Sequence, residues 1–218
     1  MPLRALVFDF DGLILDTEWP EFASVGAIWA EHGHELDLEW WRTIVGTATY
    51  VDWLERLEAL VGRDLDHGEI RARRRQHHHA LIAEQDALPG VVDLVDAAAT
   101  AGIPIGIASS SPTSWLETHL DRLGLRHRFD VLVGRDRVEH AKPAPDLYLL
   151  ACRELGVEPW EAVALEDSPH GATAAKAAGL RCVVVPNRIT AAGPFDHADL
   201  VVASLADLTL GELESLLG

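Results

Sequence analysis

A chain of 218 residues, 48% apolar and 24% charged, is long enough for one large domain or for a domain carrying a modest insertion. Its formal net charge of -17 repels nucleic acid and anionic lipid over long range and sets both aside as partners. No apolar run reaches the length of a membrane span. The chain enters its first apolar segment without a basic and apolar signal stretch, and Cys152 and Cys182 suit buried reduced thiols, so a cytoplasmic location is expected.

The first element is an apolar run, Ala5-Leu6-Val7-Phe8, of the kind that fills a buried parallel strand. It ends in Asp9-Phe10-Asp11-Gly12. An Asp-Gly turn is the plain account of such an ending. Two carboxylates closing a buried strand nevertheless cost several kcal/mol, about that much per charge, unless a cation or donors compensate them. The carboxyl end of a central parallel strand is also where open α/β sheets hold ligands. Asp9 and Asp11 are therefore read as the heart of a site.

Helical spacing follows over residues 18–33, with Phe22, Val25, Ile28 and Trp29 on one face, Pro20 in the first turn and Gly33 as a stop. Shorter helices are expected over 38–45, 49–61 and 68–84. Residues 17–86 contain no convincing strand but hold Trp19, Trp29, Trp40, Trp41 and Trp53, five of the seven tryptophans. This predicts a small helical insertion. From Leu88-Pro89-Gly90 onward, strands and helices alternate. Strands are expected at 103–108, 129–133, 162–165, 181–185 and 200–202. Helices are expected at 91–101, 112–123, 146–155, 169–178 and 210–217. The fold class is therefore α/β: a Rossmann-like parallel sheet with helices on both faces, plus an inserted α-helical domain. The expected division is 1–16 with 87–218 for the α/β core and 17–86 for the insertion.

Three further features sit at strand ends: Ser109, Lys142 between the strands in a proline-rich loop, and Glu166-Asp167. Parallel strands bring their carboxyl ends to one edge, so these residues converge on Asp9 and Asp11. Each alone has an ordinary explanation: a helix N-cap, a solvated charge, a polar loop start. The acidic chain needs local positive charge to hold an anion, and it has only two lysines, Lys142 and Lys176.

The whole chain resembles the haloacid dehalogenase superfamily, in the subgroup that contains β-phosphoglucomutase and many small-molecule phosphatases. Asp9-Phe10-Asp11-Gly12 resembles its first motif, Ser109 the second, Lys142 the third and Glu166-Asp167 the fourth. The resemblance implies Mg²⁺-dependent phosphoryl chemistry on a small phosphate monoester, with residues 17–86 as a cap that opens and closes. It implies Asp9 as covalent nucleophile, Asp11 as acid and base, and Ser109 and Lys142 as stabilisers of the transferring oxygens. It also implies Asp9, Asp11 (by its backbone carbonyl), Glu166 and Asp167 around the metal. Gly12, Glu18, Glu21, Thr47 and Ser110 are the expected substrate contacts.

A phosphoglucomutase-type relative would carry basic residues in the stretch that corresponds to 44–49, and a histidine where Glu21 stands. Valine and threonine occupy those basic positions, which favours hydrolysis of a sugar or nucleoside monophosphate over isomerisation. A catalytically silent binding protein on the same fold is the reading of another class, and Asp11 argues against it. The absence of lysine in 17–86 removes a Schiff-base route. Arg71, Arg73, Arg74 and Arg75 are expected to form a solvated helix face. His77-His78-His79 fans around its helix and chelates a metal poorly. A monomer or weak homodimer is expected.

Overall fold

Residues 2–44 and 52–218 are described by the computed structural model of the chain. In chain order the elements are β1 (Ala5–Phe8), α1 (Glu18–Glu31), α2 (Leu38–Ile44), α3 (Trp53–Val61), α4 (His67–Ala83), α5 (Val91–Ala101), β2 (Ile105–Ala108), α6 (Thr113–Arg122), β3 (Val131–Val133), α7 (Asp146–Leu155), β4 (Ala162–Glu166), α8 (Pro169–Ala178), β5 (Arg181–Val184), β6 (Leu200–Val201) and α9 (Leu210–Ser215). They divide into two units, Met1–Leu15 with Asp86–Gly218, and Asp16–Gln85.

The first unit is built on one sheet of order β3-β2-β1-β4-β5-β6, every pairing parallel. Parallel neighbours require a crossover, supplied by helices from β1 to β5 and by the loop 185–199 between β5 and β6. Successive side chains point to opposite faces. Ala5 and Val7 join Ala108, Val133, Ala162, Ala164, Cys182 and Val184 in one core layer under α7 and α8. Leu6, Phe8, Ile107, Val163 and Leu165 are also fully buried, so the opposite face is covered too, as near-continuous apolar strands demand. The strand numbering reverses between β1 and β4, and in such sheets the crevice beyond the carboxyl ends at that reversal is where ligands bind.

Two boundaries differ instructively from expectation. Phe129 and Asp130 precede β3 rather than belonging to it: the Asp130 carboxylate accepts the Ile105 N–H at 2.9 Å, clasping the neighbouring strand. Strand β4 runs one residue further, through Glu166, whose carbonyl accepts the Val185 N–H at 2.7 Å. Glu166 is therefore fixed by the sheet itself. The chain leaves this unit at Leu15 and returns beside it, since Leu15 bridges Ala87 and the Leu88 N–H reaches the Ile14 carbonyl at 2.9 Å.

The second unit contains helices α1 to α4. Asp52 and Asp66 cap α3 and α4 by accepting the N–H groups of Leu54 and Glu69, as acidic N-caps do. The Asp52 cap starts the third helix at Trp53; residues 49–51 of its expected span lie outside the described residues. The core holds Val25, Ile28, Trp29, Leu36, Trp41, Trp53, Leu54, Leu57, Ile70 and Ile82. Trp19 and Trp40 are only partly covered. Trp40 carries the Arg56 guanidinium 4.4 Å above its ring.

Candidate active site

Asp9 follows β1 directly, and its N–H is bonded to the Leu165 carbonyl of β4 at 2.8 Å. The carboxylates of Asp9, Glu166 and Asp167 lie together, with one oxygen from each within 4.8 Å of the others. All three residues are buried. The Lys142 ammonium donates to Asp9 Oδ1 at 2.5 Å and to Glu166 Oε1 at 2.6 Å, and its side chain is only 6% exposed.

The environment acts on these groups in opposite senses. Burial pushes the Asp9 carboxyl up to about 7 against the pull of Lys142, and the Glu166 and Asp11 charges push the same way. Burial works against the Lys142 charge, but Asp9 and Glu166 outweigh it and hold the ammonium well above its usual range. Lys142 is therefore the fixed cation of the site.

Glu166 is tied down on every side. Besides Lys142, it accepts from the Tyr148 hydroxyl, from the Asp167 N–H at 3.2 Å and from the Ser168 hydroxyl at 3.3 Å. A Cβ at Gly171 would lie 1.9 Å from Glu166 Oε2, so glycine there is what admits this carboxylate beneath α8. Asp167 accepts from the Asn187 side chain at 2.6 Å. Gly12 combines φ +80° with a Cβ position 2.4 Å from Asp167 Oδ2, so both conformation and space require glycine.

Asp11 lies apart from the three clustered carboxylates. Its Oδ2 accepts from Ser109 Oγ at 3.2 Å and its Oδ1 from the Trp115 indole N–H at 3.0 Å. Ser109 is fully buried, and its hydroxyl also accepts the Ser111 N–H at 3.0 Å. The sequence reading aimed Ser109 at the transferring oxygens, whereas its hydroxyl meets the Asp11 carboxylate. Of the four expected metal-site residues, Asp9, Glu166 and Asp167 come together by their side chains. The Asp11 side chain does not join them.

The expected substrate contacts fare differently. Ser110 is exposed beside Ser109. Glu18 and Glu21 occupy the first turn of α1. Glu21 is engaged within its own unit, by Arg74 and by His78 at 3.2 Å. Thr47 lies outside the described residues, as does most of the stretch 44–49. The arginine run is not simply a solvated face: Arg71 pairs with Asp52, Arg73 with Glu31 and Arg74 with Glu21. Lys176 pairs with Asp199 at 2.6 Å. Three residues that the sequence did not single out touch the site: Tyr148, Trp115 and Asn187. A tryptophan or tyrosine at helical spacing reads as core, and nothing in the pattern tells which polar tip reaches a carboxylate.

The three clustered carboxylates carry more charge than Lys142 neutralises. Their donors are all hard oxygens, the set that suits Mg²⁺. A divalent cation would balance the remaining charge, so the residues fit one. Among the described residues no helix is long and apolar enough to cross a membrane.

A profile of the family described as haloacid dehalogenase-like hydrolase matches residues 3–179. The "Putative phosphatase YhcW" of Bacillus subtilis (strain 168) is 43% identical over 211 residues, which cover 97% of this chain and 96% of that protein. Hexitol phosphatase B of Escherichia coli (strain K12) is 34% identical over 220 residues, covering 97% of this chain and 96% of its own. The crystal structure of CbbY from Rhodobacter sphaeroides in complex with phosphate matches with a TM-score of 0.73 at 34% identity, over 94% of this chain and 96% of that one.

Proposed function

The chain belongs to the haloacid dehalogenase-like hydrolase family and is a phosphoric monoester hydrolase, and from that we infer that it hydrolyses a sugar or related polyol monophosphate with Mg²⁺ as cofactor, through a phosphoryl group carried on Asp9. The observation that carries this reading is the Asp9 carboxylate at the end of β1, gripped by Lys142 and clustered with Glu166 and Asp167. Hexitol phosphatase B supports the substrate class.

Asp9 Oδ attacks phosphorus as the ester P–O bond breaks. The leaving alkoxide takes a proton from Asp11, and Asp11 later takes one from the water that hydrolyses the phosphoryl-aspartate. Lys142 faces the negative charge that develops on the transferring oxygens and pulls Asp9 toward its anionic form. Asp9, Asp167 and the Asp11 carbonyl would hold Mg²⁺, which when bound screens the repulsion between two anions. Glu166 is already saturated by protein donors, so its share in this reading is chiefly to anchor Lys142. The two free buried cysteines support a reducing, cytoplasmic setting.

The test is phosphate release from a panel of hexose, hexitol, pentose and nucleoside monophosphates, with and without Mg²⁺. Release that requires Mg²⁺ and disappears in Asp9→Asn is expected, strongest on a sugar or polyol phosphate. Retention of most activity in Asp9→Asn would refute the covalent route, and nucleotide preference would refute the substrate class.

A further inference from the structure

We propose that Trp115 is a positioning residue for Asp11: its indole N–H fixes the orientation of the Asp11 carboxyl group. The inference rests on the role given to Asp11 above. Trp115 lies on α6, 104 residues from Asp11, and its Nε1 donates to Asp11 Oδ1 at 3.0 Å. Ser109 Oγ holds the other oxygen at 3.2 Å. An indole N–H can only donate, whereas a hydroxyl both donates and accepts. Oδ1 and Oδ2 each have their own donor, so the carboxyl group is held from two sides. With both oxygens held, the carboxyl plane is fixed before substrate arrives, and no reorganisation is needed at the moment of proton transfer.

Packing fixes the indole in turn. The His119 ring meets Trp115 edge to face with centroids 4.1 Å apart, and the Phe10 ring lies 6.4 Å beyond His119. Phe10 stands between Asp9 and Asp11 in sequence, so the aromatic row ties α6 to the segment that bears both aspartates. This arrangement explains why a half-buried tryptophan, rather than an aliphatic residue, occupies the first turn of α6.

The experiment reads leaving-group dependence. kcat/KM is measured at saturating Mg²⁺ for p-nitrophenyl phosphate, phenyl phosphate and an alkyl phosphate, with wild type, Asp11→Asn and Trp115→Phe. A p-nitrophenolate leaves without help, while an alkoxide needs a proton. Asp11→Asn is expected to steepen the dependence strongly, since a positioned acid supplies about 10²- to 10⁴-fold. Trp115→Phe keeps the ring and loses the N–H. It is expected to lose about tenfold on the alkyl ester, part of that acid contribution, and under about twofold on p-nitrophenyl phosphate. The slope does not depend on how much of a variant is folded, because lost enzyme lowers all three substrates equally. Equal losses on all three esters, or none, would overturn the inference while a steepened Asp11→Asn slope leaves the Asp11 reading intact. An unchanged slope in Asp11→Asn would overturn both.

Discussion

The two units of the chain treat charge in opposite ways. At the strand ends of the α/β unit, Asp9 and Glu166 are buried and share one ammonium, Lys142, and Asp167 is buried beside them. In the helical unit, Arg71, Arg73 and Arg74 each take a separate acidic partner, and all six side chains keep contact with water. Buried charge is costly unless something answers it, whereas exposed pairs contribute little either way. The helical pairs brace α4 against α1 and the start of α3, and burial raises the Glu21 carboxyl against the pull of Arg74.

Removing Lys142 should break the contrast most severely. Lys142→Met leaves Asp9 and Glu166 buried without their cation, so a destabilisation of about 3–5 kcal/mol is expected in the metal-free chain, together with loss of turnover. Chemical denaturation with and without Mg²⁺ checks it; an unchanged midpoint would mean that the carboxylates are not strained by their own charge. Gly171→Ala comes next. Its methyl would stand 1.9 Å from Glu166 Oε2, and about 3 kcal/mol of overpacking cost is expected, with activity falling alongside stability as Glu166 and then Lys142 shift. The same substitution at Gly62, which has no atom within 4 Å of its Cβ position, has no clash of this kind and isolates the backbone cost of a positive φ.

A subtler probe is pH. Burial raises the Asp9 carboxyl from 3.8 to about 7 in the metal-free fold. Between those values the folded chain binds more protons than the unfolded one, so this group's contribution is fully present below about pH 4 and is lost as pH rises through about 7. Mg²⁺ requires the carboxylate, so the rise in melting temperature that it produces should be small near pH 5.5 and larger near pH 8, with apparent affinity falling about tenfold per pH unit below 7. A metal-induced shift independent of pH would contradict the assignment of Asp9 as a ligand. The smallest effect belongs to the helical unit: Arg74→Ala should cost about 1 kcal/mol or less by thermal melts, and turnover of p-nitrophenyl phosphate should be preserved.

The same contrast decides what could be read from sequence. Strand-end carboxylates and an isolated lysine are visible because each breaks an apolar pattern at a place where topology collects residues. The parallel α/β sheet was legible for the same reason, from the alternation after Leu88. Trp115, Tyr148 and Asn187 were not. Two of them lie on helices whose apolar faces they also serve, and Asn187 sits in the loop after β5; the direction of a polar tip is set by tertiary packing. The partners of Glu21, Arg74 and His78, were hidden from the sequence because they lie far along the chain, and a first-turn acid is favoured by the helix dipole whatever it faces.

The strand order has a consequence for how the protein comes into being. Strand β1 is made first, yet its two neighbours in the sheet are β2 and β4. Asp9 meets Lys142 across 133 residues, and Asp11 meets Ser109 across 98. A ribosome that has released β1 to β3 has produced a hydrophobic strand with one edge still unpaired and Asp9 without its acidic companions. Long-range pairing of this kind is slow, and an open edge invites association. No fragment that stops short of β4 contains Glu166 or Asp167. Turnover therefore serves as an all-or-none report on the completed sheet, and any activity recovered in a refolding experiment counts molecules in which the first strand has found its last-made partner.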